Sequence, residues 1–209
     1  MPLANHLTLS REEKFAAVGA LCLVLLHALS PLHAVFEYRA ANAWTEPWRL
    51  LTAHLVHLNW PHALINAAAW FVVARLFAIE LAIARQVLTL AVSASAIGFA
   101  LPLLWPAIEH YRGFSGVLHA LFFAGAAGWW LAAVATPAQR TMARLWLPTA
   151  LFAGGWIKVL LEQPWDASTP YADWLGAGTV PQAHLVGALV GTMLGVVFAR
   201  RDRPRRTQK

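Results

Sequence analysis

Charged residues are what this sequence has least of. Asp, Glu, Lys and Arg make up 12% of its 209 residues, against 59% hydrophobic ones. A soluble domain of this size carries about a quarter of its residues as charges. Half that share leaves too little polar surface to meet water on every side. Cysteine is nearly absent too. The single Cys22 lies in an apolar run, which excludes an internal disulfide and any cysteine cluster for a metal. Aspartate is confined to Asp166, Asp173 and Asp202, none of them inside an apolar stretch. There is no internal repeat, no low-complexity linker and no stretch polar enough for a separate soluble domain. The first apolar run is too long for a removed signal peptide and lacks its small-residue cleavage site, so it is expected to stay. The natural solvent for such a chain is lipid.

What is present is a set of long uncharged segments. No Asp, Glu, Lys or Arg falls between Lys14 and Glu37, Arg49 and Arg75, Arg85 and Glu109, Arg112 and Arg140, or Asp173 and Arg200. Each is long enough for the ~20 residues of a spanning helix. A shorter run, Leu145 to Leu161, is interrupted only by Lys158. The expectation is an all-α membrane protein of six helices at roughly 15–36, 55–74, 87–105, 115–134, 146–161 and 181–199, forming one domain over 1–209. The basic tail at 200–209 (Arg200, Arg201, Arg203, Arg205, Arg206, Lys209), with Arg75, Arg85, Arg140 and Arg144 in the even loops, places both termini in the cytoplasm. The odd loops mix signs (Glu37, Arg39, Glu46, Arg49, Glu109, Arg112) or are acidic (Glu162, Asp166, Asp173). Topology accounts for the net charge of +6 without a nucleic-acid partner. Trp44, Trp48, Trp165 and Trp174 fall near the outer interface and Trp146 near the inner one, where indole rings settle.

Polar groups inside a bilayer are functional hypotheses. The second helix carries His54, His57, His62 and Asn66, and the four-residue spacing of His62 and Asn66 puts them on one face. No second cluster of metal-ligating side chains lies in the other helices, so the histidines read as a polar wall or as packing hydrogen bonds rather than a metal site. The fourth helix opens Gly113-Phe114-Ser115-Gly116 and continues to His119. A serine between glycines at a helix start can be approached closely and sits where unpaired N–H groups favour an anion. The sixth helix begins at Pro181 and carries His184, then Gly187, Gly191 and Gly195 every four residues, a stripe that lets it approach a neighbour closely. Opposite an exposed serine, His184 is a candidate base. Lys158 and Glu162, four apart in the fifth helix, read as a mutually neutralising pair or as substrate or gate contacts. With no aspartate in the bundle, a serine hydrolase here is expected to be a Ser-His dyad, its imidazole positioned by something other than a carboxylate.

Glu46-Pro47-Trp48-Arg49, His57, His62 and Asn66, Gly113-Phe114-Ser115-Gly116, and Ala183-His184 with Gly187 and Gly191 together resemble the rhomboid proteases, in order along nearly the whole chain. The resemblance implies a six-helix rhomboid-type bundle in which Ser115 attacks the scissile carbonyl and His184 takes its proton. It implies an oxyanion hole made by His62, Asn66 and the Ser115 N–H, a structural His57, and Trp48 and Arg49 anchoring the outer loop. One departure is His119, where well-studied rhomboids have a tyrosine packed on the catalytic histidine. It reads as a stacking or orienting partner for His184, or as an alternative base. A narrower resemblance is to the rhombosortases, carried by His54-Leu55-Val56-His57-Leu58-Asn59-Trp60, Ser115-Gly116-Val117-Leu118-His119, and Lys158 with Glu162. It implies a multi-pass protein of the bacterial inner membrane, with its site open to the periplasmic side. Its substrates would be membrane-anchored proteins that lose a C-terminal Gly-rich sorting tail, and no cofactor or metal is implied. Other readings are a general rhomboid protease acting on other single-pass substrates, a non-cleaving scaffold that binds membrane helices, and a small transporter. Retention of Ser115, His184, His62 and Asn66 argues against the scaffold. The absence of paired broken helices argues against the transporter.

Overall fold

The computed structural model describes residues 8–135, 141–165 and 179–202. Trp174, Asp166, Asp173, Arg140 and the tail beyond Asp202 therefore lie outside the described residues. The elements are α1 (Arg11–Ala28), α2 (Pro31–Phe36), β1 (Tyr38–Arg39), α3 (Arg49–Thr52), α4 (Trp60–Leu76), α5 (Ile83–Leu104), β2 (His110–Tyr111), α6 (Ser115–Ala135), α7 (Met142–Leu161) and α8 (Pro181–Asp202). Three of them, α5, α6 and α8, are long and apolar enough to cross a bilayer. The other long helices differ for visible reasons. Four charges open α1, Arg144 and Lys158 interrupt α7, and α4 has 17 residues.

The third and fifth expected helices begin four residues early, at Ile83 and Met142, and the first two differ more. The first run does not continue from 15 to 36, because it breaks after Ala28 and resumes at Pro31. A proline in mid-helix removes a hydrogen bond and clashes with the preceding turn, whereas at a first turn it is tolerated. The second helix begins at Trp60 rather than 55. Asn59 caps it, its side chain accepting from the His62 N–H at 2.9 Å, and Pro61 occupies the first turn. His54 thus sits in a short 3-10 turn, Ala53–Leu55, and His57 in the connection after it.

The closest helix pair is α6 against α8, and the glycine stripe explains it. A Cβ on Gly187 would lie 2.0 Å from the Gly116 carbonyl oxygen, and one on Gly191 2.2 Å from that of Ala120. One on Gly195 would lie 2.6 Å from that of Ala124. Backbone therefore rests on backbone over three turns. Phe77, Ile97, Leu121 and Phe123 fill the space beside this pair and are completely buried.

Ion pairs hold one end of the bundle. Glu13, in the capped first turn of α1, accepts from Arg75 of α4 at 2.6 Å, and Arg85 of α5 pairs with Asp202 of α8. At the other end the first loop is fastened to the segment before α6. The antiparallel ribbon pairs Tyr38 with Tyr111 and Arg39 with His110. Buried Glu37 accepts from Arg39 and Arg112. Buried Arg49 pairs with Glu46 and donates to the carbonyls of Ala34 (2.8 Å) and Glu37 (3.0 Å). Trp48 is half exposed and donates from its indole to the Val35 carbonyl at 3.3 Å.

Candidate active site

Ser115 is the first residue of α6, and the approach to it is built by local backbone chemistry. Gly113 has φ 134°, a conformation open to glycine, and a Cβ there would meet the His62 imidazole at 2.7 Å. The Gly113 N–H donates to the Ala53 carbonyl at 3.0 Å. The Tyr111 hydroxyl donates to the Gly113 carbonyl at 2.7 Å. The turn that presents the serine is thus tied on both sides before α6 begins.

The close α6–α8 contact then sets Ser115 against His184. The Ser115 hydroxyl oxygen lies 2.9 Å from His184 Nε2. The structure departs from the expectation of an imidazole without a carboxylate. His184 Nδ1 lies 2.8 Å from Oε2 of Glu162, and both residues are buried. The absence of a bundle aspartate does not exclude a glutamate. Glu162 reads from spacing as a partner of Lys158 or as a substrate or gate contact, yet a carboxylate has two oxygens. Glu162 Oε1 meets Lys158 Nζ at 2.7 Å and leaves Oε2 for the histidine. Its place just past the last turn of α7, before Gln163 turns left-handed with φ 50°, lets it face inward.

His119 lies over His184 with ring centroids 4.2 Å apart and planes 17° from parallel. Its nitrogens are both engaged. Nδ1–H donates to the Ser115 carbonyl at 2.7 Å, because a carbonyl can only accept, and Nε2 therefore accepts from Lys158 Nζ, also at 2.7 Å. In this arrangement neither nitrogen of His119 faces the Ser115 hydroxyl.

His62 and Asn66 line the same cavity of about 310 Å³, together with Ser115, His119, Lys158, Glu162 and His184. Both are buried. Asn66 Nδ2 and His62 Nδ1 have no hydrogen-bond partner among the described residues. A buried amide donor without a partner costs free energy unless something else uses it. His57 stands behind, 5.2 Å from the His62 ring and edge-on to it, with Nε2 3.5 Å from the Phe114 N–H. Gly116 faces the Ala183 carbonyl, where a Cβ would lie 2.9 Å from the oxygen. Trp48 and Arg49 lie in the first loop and do not line the cavity.

His119, Glu162 and His184 also satisfy the spacing of a metal cluster, their ligand atoms falling within 4.8 Å of one another. They fit a metal poorly. The Lys158 ammonium already contacts Glu162 and His119, so a dication would have to displace a cation that is hydrogen-bonded to both.

Sequence reasoning brought Ser115, His184, His62, Asn66 and His119 together but missed the Glu162–His184 contact. The available signal was position: Glu162 ends α7 at the same end of the bundle where α6 and α8 begin.

No curated protein matches the chain. Residues 45–201 match the family model described as Rhomboid domain, a segment that includes every residue lining the cavity. With that match over most of its length, the chain belongs to the rhomboid family of intramembrane serine proteases, hydrolases that act on membrane-embedded substrates.

Proposed function

We propose that this protein is an intramembrane serine endopeptidase in which Ser115 is the nucleophile and His184 its base. The observation that carries the reading is the 2.9 Å approach of the Ser115 hydroxyl to His184 Nε2 at a cavity also lined by His62 and Asn66, which keep buried polar atoms without partners among the described residues. Ser115 attacks the scissile carbonyl carbon as its proton passes to His184. The oxyanion accepts hydrogen bonds from Asn66 Nδ2, His62 and the Ser115 N–H, the last unpaired within the helix as first-turn N–H groups are. Collapse expels the amine, which takes the proton from His184 and leaves an acyl ester on Ser115. Water then attacks the ester, His184 again takes and returns the proton, and the serine is restored.

The finer reading is a rhombosortase, a single rhomboid-type domain over 1–209. Six helices span the bacterial inner membrane, both termini lie in the cytoplasm, and the site opens to the periplasm. Its substrates are exported proteins anchored by a C-terminal transmembrane tail with a Gly-rich motif. The strings around His54, Ser115 and Lys158 support the subfamily, and the basic residues Arg75, Arg85, Arg144, Arg200 and Arg201 support the orientation.

The test is cleavage of two membrane reporters, one with a Gly-rich C-terminal tail and one with an unrelated single-pass helix. Ser115→Ala and His184→Ala each abolish cleavage, and His119→Ala lowers it partially. A fluorophosphonate probe labels the purified protein at Ser115. Labelling elsewhere overturns the nucleophile assignment. Full activity in the His184 variant with none in the His119 variant reverses the base assignment. Equal cleavage of both reporters assigns a general rhomboid protease.

A further inference from the structure

The orientation of His184 can be traced from one atom to the next. A carboxylate only accepts, so the 2.8 Å contact with Glu162 Oε2 requires the proton of the resting imidazole on Nδ1. Nε2 then carries the lone pair, and it is Nε2 that faces the serine hydroxyl. Among the described residues no other neighbour does this. His119 spends both nitrogens on the Ser115 carbonyl and Lys158, and holds the His184 ring only by stacking. Lys158 is a donor without an acceptor and cannot take the Nδ1–H.

We propose that Glu162 is the positioning residue of a Ser115–His184–Glu162 triad, with Lys158 as the counter-ion that keeps its carboxylate ionised and opposes premature protonation of the histidine. This rests on the serine-protease reading above. At rest the Glu162 and Lys158 charges cancel. When His184 takes the serine proton, its new positive charge forms against Glu162 while the negative charge forms on the substrate oxygen. Glu162 thus favours the protonated imidazole and Lys158 disfavours it. Among the described residues, the titratable and charged groups around His184 are His119 on α6, His62 on α4, Lys158 on α7 and Glu162 just past its end.

The experiment compares kcat, KM and the pH dependence of kcat/KM for the full-length protein in proteoliposomes, with melting temperature recorded for each variant. Glu162→Gln is expected to lower kcat by roughly 100- to 10,000-fold, the range of losing acid–base help or triad orientation, with KM little changed. The acid limb of its profile moves to lower pH, because the imidazolium has lost its anionic partner. Glu162→Asp recovers part of kcat. Lys158→Met moves the acid limb the other way, to higher pH. Wild-type kcat and an unmoved limb in Glu162→Gln overturn the proposal. Should that variant melt early, the Lys158→Met profile decides, and no shift there overturns it as well. Cleavage by Ser115→Ala would instead sink the serine-protease reading itself.

Discussion

His62 and Asn66 show how a buried polar group can be read as a request for a ligand. Asn66 lines the same cavity as Ser115, and its buried amide nitrogen has no partner among the described residues. Removing such a donor is expected to cost a transition state more than a ground state. Asn66→Ala and His62→Ala should each reduce kcat by about 100- to 1,000-fold with a smaller change in KM, measured on the Gly-rich reporter. A fall confined to KM would mean that these groups bind substrate uniformly. At this scale the sequence was informative wherever spacing on one helix decided the outcome, as for His62 and Asn66. It was weaker where two helices meet. The Lys158–Glu162 spacing gives an i,i+4 pair, and the place of Glu162 at the end of the bundle where α6 and α8 begin was the one hint that its second carboxylate oxygen reaches His184, twenty-two positions away.

The contact between α6 and α8 is the element on which the site depends. The four-residue recurrence of Gly187, Gly191 and Gly195 announced a close approach without naming the partner. The partner is the helix that starts at Ser115. A methyl on Gly187 would fall 2.0 Å from the Gly116 carbonyl oxygen, where only backbone is available to yield. Gly187→Ala is therefore expected to destabilise by about 1–3 kcal/mol, as overpacking does. It should also cost activity beyond the loss of folded protein, since the helices part where Ser115 meets His184. Gly154, in α7 with nothing within 4 Å of its added Cβ, is the control. Gly154→Ala should keep full activity and melt no lower than wild type, Ala being the better helix former. Thermal melts and reporter cleavage check both. Helix boundaries were less legible. Asn59 and Pro61 mark a helix start, and Pro31 marks a break, but the uncharged run through each of them suggested unbroken helices. The two-residue ribbon is too short to show an alternating pattern at all.

Across the whole molecule, polar fastenings occupy the two ends and apolar packing the middle, as expected where lipid surrounds the waist and water the ends. Glu37 is the hub of the fastening nearest the cavity. Burial alone would push its carboxyl up, but hydrogen bonds from Arg112 and then Arg39 outweigh it and hold the group below the ordinary value of 4.5. A carboxyl lowered on folding adds stability that is complete above 4.5 and is lost as pH falls through the lowered value. Melting temperature should therefore drop on acidification below that point. Glu37→Gln should start lower and show a flatter acid limb. An unchanged acid limb in that variant would assign the acid sensitivity to other groups. The broad class, a lipid-embedded helical protein with a serine and a histidine at one end, was legible from scarcity of charge and from a few polar spacings. The fastenings were not, because each joins loops far apart in the chain.

The carbonyl-on-glycine seam between α6 and α8 has a consequence for how this molecule fails. The gap between hydroxyl and imidazole is fixed by main chain touching main chain, so no rotamer change can restore it once the seam opens. On the proposed function, a warmed or damaged copy is therefore expected to fall silent at the first loosening of its scaffold, before it unravels, rather than to drift into indiscriminate hydrolysis of its neighbours in the bilayer.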